Sequence, residues 1–341
     1  MVRRLRISGF TIVELLVATA VLILLLGILF VAISETGKIW RHSSDQIESF
    51  QDARAAFETI TSTLSQATLN TYYDYFDSTG HAANEAAFSG VPARYGRQSE
   101  LHFISGSQLI DGQVTHAVFF QAPLGYAAKS YASLGTLLNA CGFFVRFTDD
   151  SSTSSLSGRP PFLDNLMQKR FRYQLMMLSQ PSENLSIFSS TGTGSGWYAN
   201  FLNATPPNAR VLAENIVVFV VLPKETDADE AGIPAGQRIG ANYSYDSRTA
   251  WSGTKQPTAM NQLCPIVKVL MIAADESSIA RVQGTSSAPP SLGIDYSVLF
   301  KEAAKLPDDL AKAEAALANR KINYRVFQAE IPLRNSKWST Q

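Results

Sequence analysis

The sequence predicts an α+β chain: a long N-terminal α-helix, membrane-spanning in its first half, packs through its second half on an antiparallel β-sheet head with long loops. Three observations predict it. From Leu15 to Ile33 there are 19 residues without a charge, enough to cross a hydrocarbon core of about 30 Å. Between Phe10 and Leu69 the only glycines are Gly27 and Gly37, and the first proline of the chain is Pro92, so a continuous helix of about 90 Å is allowed at about 1.5 Å per residue. Beyond residue 70, β-branched and aromatic runs alternate with Ser/Thr/Gly-rich tracts, the pattern of strands and loops.

Taken in order, residues 1–9 form a basic leader carrying Arg3, Arg4 and Arg6, and residues 10–33 the apolar span. By the positive-inside rule the leader stays in the cytoplasm and everything after the span faces outward. Residues 34–69 continue the helix as an amphipathic segment. There Ile47, Phe50, Ala53, Phe57, Ile60, Leu64 and Ala67 fall three and four apart on one face, while Glu35/Lys38, Arg41/Asp45 and Arg54/Glu58 stand at helical contact spacing on the other. Such a stripe suits packing on the sheet of its own chain, a coiled-coil seam being the alternative.

Residues 70–341 form the head, a domain near the upper size for a single core. Strands are predicted at Glu100–Ser105, Thr115–Gln121, Gly142–Thr148, Phe171–Leu178, Asn215–Leu222, Ile266–Ala273 and Ile322–Ile331. The run Ile216–Val221 has little alternation, which predicts a central strand covered on both faces. Asp149–Pro161 and Ser189–Gly196 read as loops. Asp308–Lys321, behind Pro307, reads as a surface helix. Pro223–Leu263 shows no periodicity and reads as a loop insertion over 223–263, acidic at its start and carrying Tyr243, Tyr245 and Trp251. Two readings stand for it: a surface that touches a neighbouring subunit, or a mobile loop.

The chain is formally neutral, with 29 basic and 29 acidic side chains, so nothing indicates a nucleic-acid partner. Cys141 and Cys264 face a disulfide-permissive compartment. Two readings stand here too: a bridge worth roughly 4–5 kcal/mol in the chain-entropy model, or two separately buried thiols. His81, His102 and His116 lack metal-ligand spacing, and His42 lies on the helix. Gly192–Gly196 lacks the lysine and following helix of a phosphate loop. Asp227, Asp229 and Glu230 offer hard oxygen ligands for Ca²⁺ but not the spacing of a full calcium loop, leaving a weak candidate. No cofactor and no enzyme activity are indicated.

One residue organises the N-terminus. Glu14 places a lone carboxylate at the start of the apolar run, where burial in lipid costs roughly 2.5 kcal/mol or more and a partner is expected. Read without a family, the region passes for a secretory signal ending at Ala32-Ile33-Ser34, an uncleaved signal anchor, or, through Arg3-Arg4, a twin-arginine signal. The apolar run exceeds the roughly 7–15 residues of a secretory signal, an uncleaved anchor gives Glu14 no purpose, and the residues flanking Arg3-Arg4 fit a twin-arginine signal poorly.

The arginines, Gly9, Phe10 and Glu14 together resemble the processing site of type IV prepilins and pseudopilins. The resemblance implies cleavage between Gly9 and Phe10 by a prepilin peptidase, N-methylation of Phe10, and a Glu14 that pairs with the Phe10 amine of a neighbouring subunit. It also implies a pilin-like fold. The segments Val211–Leu222, Ile266–Glu276 and Tyr324–Asn335, with its Leu-Arg-Asn ending, resemble the heads of J-type minor pseudopilins of type II secretion systems. The mixture is also similar to the "Verru_Chthon cassette protein C" group.

The expected function is therefore structural: a minor pilin or pseudopilin of the bacterial inner membrane, single-pass, with a periplasmic head. It would assemble into a type IV pilus-like or type II secretion-like filament with other subunits, through an inner-membrane assembly platform and the lipid bilayer. The alternative is a periplasmic binding or hydrolytic domain that uses the helix only as an anchor.

Overall fold

The computed structural model describes residues 12–129, 134–149, 170–188, 196–202, 209–251, 253–284 and 286–339, with backbone only at 38–49 and at residue 201. Two compact units are present, Met1–Glu48 and Ser49–Gln341. Helix α1 (Ile12–Leu64) is 53 residues long and contributes to each. In the first unit it is apolar on every side, and Ile12–Gly37 is a helix long and apolar enough to cross a membrane.

In the second unit the predicted stripe is found inside. Ala53, Phe57, Ile60, Leu64 and Ala67 are buried, with Phe50 half-buried beside them; Ile47 lies among the residues without described side chains. Burial of a side chain such as Ile60 or Leu64 stabilises by about 1.5–3 kcal/mol. On the solvent side Arg54 and Glu58 pair at 3.0 Å. No glycine or proline stops α1 at Leu64. Its end is instead closed by the C-terminal Leu-Arg-Asn segment: Arg334 N–H donates to the Ser65 carbonyl, and the Asn335 side-chain amide donates to the Gln66 and Ala67 carbonyls.

The strands after α1 are β1 (Tyr72–Phe76), β2 (Arg94–Gln98), β3 (Ile104–Ser107), β4 (Gln113–Pro123), β5 (Leu138–Asp149) and β6 (Phe171–Gln180). Helix α2 (Gly196–Leu202) precedes β7 (Ala209–Glu214) and β8 (Ile216–Lys224), followed by the one-turn α3 (Asp227–Glu230) and β9 (Tyr245–Asp246). Last come β10 (Ile266–Ala274), α4 (Glu276–Gln283), α5 (Leu306–Asn319) and β11 (Tyr324–Pro332). All pairings are antiparallel, which makes the class α+β. They form three sheets among the described residues: β1-β2, the six-stranded β7-β6-β5-β4-β3-β9, and the three-stranded β11-β10-β8.

Several expectations change. A single sheet was expected, and the chain instead crosses from the six-stranded to the three-stranded sheet at Asn215. That residue takes φ 58° between β7 and β8, a left-handed turn that asparagine tolerates better than most residues. The apolar run Ile216–Val221 is not central. β8 stands at an edge of its sheet, and is buried because β4 covers that edge. A register irregularity in β4 between Gln113 and Ala117 frees Thr115 and His116 for this role. The Thr115 hydroxyl donates to the Phe219 carbonyl at 2.6 Å and accepts from the Phe219 N–H at 3.1 Å. His116 Nδ1 accepts from the Val221 N–H at 3.4 Å.

Within 223–263 the stretch 226–238 stays largely exposed, but the aromatic residues do not. Tyr243, Tyr245 and Trp251 are at most 5% exposed, β9 pairs with β3, and the Tyr245 hydroxyl donates to the Gln262 carbonyl at 2.8 Å. Its aromatic area is spent on the chain's own core. The Asp308–Lys321 helix is found as α5, with Pro307 in its first turn. Residues 150–161 and 189–195 of the two predicted loops lie outside the described residues.

Candidate functional site

Gly9 and Phe10 lie outside the described residues. Glu14 stands among the first described residues of α1. Behind it the side chains point outward without interruption: Phe30 is 78% exposed and Leu24 63%. Two hydroxyls along this stretch turn back on the helix, Thr19 donating to the Leu16 carbonyl at 3.0 Å and Thr36 to the Ala32 carbonyl at 2.8 Å. A hydroxyl satisfied in this way loses little on leaving water. The segment thus presents an apolar surface with its one early acidic group at the start.

The second unit contains a buried histidine paired with a half-exposed carboxylate, an arrangement that spacing alone would not reveal. His102 Nε2 lies 2.7 Å from Asp246 Oδ1, and the Trp197 indole N–H donates to His102 Nδ1 at 3.0 Å. The three residues come from the approach to β3, from α2 and from β9, so no local motif connects them. Burial pushes the His102 ring below its ordinary pKa against the opposing pull of Asp246. Burial raises Asp246, but the His102 bond, the Arg248 backbone N–H and the Arg248 charge outweigh it and hold the carboxyl low.

With Trp197 donating to Nδ1, that nitrogen is the acceptor and Nε2 carries the proton given to Asp246. The imidazole therefore has no lone pair left to take a proton from a substrate, as a general base must. The neighbouring Ser247 hydroxyl accepts from the Phe103 N–H at 2.9 Å. The group ties α2 to the β3–β9 end of the six-stranded sheet.

His116 is equally enclosed, its Nε2 bonded to the Phe300 carbonyl at 3.1 Å while Nδ1 accepts from Val221. Burial lowers its pKa to about 4. His81 faces Glu85 at 3.0 Å on the surface, and the side chain of His42 is outside the described set.

Cys141 and Cys264 are free and buried, which is the separate-thiol reading of the pair. Burial pushes Cys141 up to about 12 and Cys264 higher still, so neither is a reactive thiolate at neutral pH. The acidic tract is corrected from a loop to a capped turn. Thr226 caps α3, Asp227 pairs with Lys224 at 2.8 Å, Glu230 with Arg238 at 3.0 Å, and the Thr226 hydroxyl donates to Asp229 at 2.6 Å. Among the described residues no three His, Cys, Asp or Glu side chains converge as a metal site, so the calcium candidate is not carried further.

A groove of about 870 Å³ is walled by Phe147, Phe171, Tyr173, Pro290 and Tyr296. Its polar side chains are turned to internal use: Gln113 bonds backbone groups at Leu109, Gly106 and Thr115, and Asp295 accepts from Ser297. No charged groups are aimed at a common point within it. Comparison with known proteins gives no matching family model, no similar curated protein and no similar solved structure.

Proposed function

We propose that this chain is a structural minor pilin or pseudopilin subunit, cut by a prepilin peptidase between Gly9 and Phe10 and assembled into a type IV pilus-like or type II secretion-like filament of the bacterial inner membrane. One observation carries the reading. A helix long and apolar enough to span a membrane begins with a single carboxylate, Glu14, and its continuation supplies the core stripe of an antiparallel sheet unit. A plain anchor needs the apolar length alone. The carboxylate adds an insertion cost of roughly 2.5 kcal/mol or more, which pairing with the Phe10 amine of an adjacent subunit would offset while setting an axial register.

Mass spectrometry of the chain recovered from its native membrane tests this. The mature form should begin at Phe10, carry one added methyl group on its amine, and be absent from a Gly9→Val variant. Recovery of an intact N-terminus, or of a chain beginning at Glu35, would overturn the reading. Glu14→Leu should be inserted and cut normally yet be lost from sheared filaments; normal incorporation would leave the helix as an anchor only.

A further inference from the structure

The two edges of the three-stranded sheet are treated differently. On the β8 side, Thr115 bonds both backbone groups of Phe219, and His116 bonds the N–H of Val221. Those groups therefore point away from β10. Backbone groups alternate in direction along an antiparallel pair. Phe219 stands opposite Met271 and Val221 opposite Val269, so Met271 and Val269 turn their groups the other way, toward β11. Their partners there are Phe327 and Ala329. It follows that Val326, Gln328 and Glu330 each direct one N–H and one C=O to the open side of β11.

Nothing among the described residues meets these groups. β11 pairs with β10 alone, and no other hydrogen bond reaches the backbone of Val326, Gln328 or Glu330. Gln328 and Glu330 are exposed and Val326 half-buried. The edge ends at Pro332, which has no N–H to offer. Its two charged side chains are unequal. Glu330 is neutralised by Lys268 at 3.3 Å. Arg325 lies over the Phe50 ring, 5.5 Å from its centre, and has no ion pair among the described residues.

We propose that β11 is a docking edge, which takes up an extended segment of another polypeptide as a fourth strand with an acidic side chain opposite Arg325. A row of N–H and C=O groups at the strand repeat is matched only by another extended backbone, the mode of recognition in which main-chain bonds supply affinity and alternate side chains supply selectivity. Arg325 supplies the selectivity. Its backbone faces β10, so the residue opposite it in an added strand would be a non-hydrogen-bonded neighbour, the pairing in which side chains approach most closely. This inference does not rest on the filament reading; a subunit of a different sequence would be one source of such a strand.

The test uses the full chain in detergent micelles and a fluorescent, end-capped nine-residue peptide of alternating threonine and valine with one glutamate set to face Arg325. The peptide should bind saturably. The same peptide N-methylated on the amides that face β11 should bind at least tenfold more weakly, a result that requires no change to the protein. Gln328→Pro places a ring on the open side without removing a bond to β10, and should also lower affinity at least tenfold while leaving the circular dichroism unchanged. Arg325→Glu should transfer the preference to a peptide with lysine in place of glutamate.

Equal binding of the methylated peptide, or no binding of the unmodified one at up to about 1 mM, would overturn the proposal. Dimers of the wild-type chain that disappear in Gln328→Pro and are not dissociated by the peptide would overturn it too, making a second copy the occupant.

Discussion

Phe30 and Gln121 each sit where ordinary burial preferences would place the other. Phe30, in the first unit, is 78% exposed, and Gln121, in the second, is fully buried. The contrast extends to whole regions. Along Ile12–Gly37 large apolar side chains face outward all round the helix, whereas the second unit buries Asn139, Gln180, His102, His116 and Thr115 inside its sheets. Each region is reasonable only through what meets its anomalous groups. The helix needs an apolar surrounding from outside the chain, since exposed patches of this size mark interaction surfaces. The sheet unit partners most of its own: Gln121 Oε1 accepts from the His102 N–H, the Asn139 amide donates to Tyr126 and Gln180 carbonyls, and the Gln180 amide to the Trp197 carbonyl, whereas Gln121 Nε2 and the Gln174 side-chain amide have no partner among the described residues. Burial alone therefore says little about either region until the partners are counted.

The same substitution made in both regions gives the sharpest break. Ile60→Asp puts a carboxylate into the core beneath the sheets and should cost more than about 4 kcal/mol, enough to prevent folding of the unit. Leu24→Asp should leave the urea-unfolding midpoint of the sheet unit unchanged and instead raise the apparent insertion free energy by about 2.5–3.5 kcal/mol. Equal loss of tryptophan fluorescence transitions in the two variants would show that the regions are not distinct.

Next in size is the polar cover on β8. Thr115→Val keeps the shape of the side chain and removes the hydroxyl that both Phe219 groups use. Leaving two buried backbone groups without partners should cost about 2–4 kcal/mol. A loss below about 0.5 kcal/mol by chemical unfolding would mean that water reaches this edge and that it is not closed.

How much of this contrast was legible in the sequence depends on the distance over which the signal acts. The apolar run, the stripe from Phe50 to Leu64 and the strands at β4, β5, β6, β10 and β11 are local patterns, and periodicity finds them. β1 and β2 escape because Tyr73, Tyr75 and Tyr95 remain more than half exposed, so no buried face marks the strand. β7 escapes because its residues are only partly buried, and the left-handed turn that separates it from β8 at Asn215 carries no glycine. The partners of His102 and His116 lie 144 and 184 positions away, beyond any spacing rule. The buried aromatics of 223–263 were legible as contact area, but sequence alone could not say with what. Glu14 was legible for the opposite reason: one charge among apolar neighbours is a purely local anomaly.

His116 makes the contrast depend on pH. Its Nδ1 must be unprotonated to accept from Val221, and burial lowers its pKa to about 4 from an ordinary 6.5. The unfolded chain then binds the proton more readily than the folded one. The contribution is fully present above about pH 6.5 and is lost as the pH falls toward 4, by roughly 3 kcal/mol in total. Urea midpoints measured at pH 7, 5.5 and 4.5 should fall more steeply for the wild type than for His116→Asn. Parallel slopes would show that the ring does not couple folding to this proton.

Glu225 should give the smallest effect and the opposite sign. It follows β8, is 4% exposed, and its Oε2 has no hydrogen-bond partner among the described residues. Burial raises its pKa first, the charges of Asp229 and Glu230 add to the rise, and Arg238 opposes it. The folded chain thus holds this proton more tightly than the unfolded one. Its contribution is fully present below about pH 4.5, the ordinary value, and declines as the pH rises through the raised folded value. Arg238 is already engaged by Glu230 at 3.0 Å and by the Ile233 carbonyl, so it cannot fully compensate the second carboxylate. Glu225→Gln keeps the size and removes the charge. It should raise the unfolding midpoint at pH 7, by on the order of 1 kcal/mol for one imperfectly paired buried group, and change little at pH 4. A variant destabilised at pH 7 would mean that the ionised carboxylate is an asset there, and that the sheet unit satisfies even this group from within.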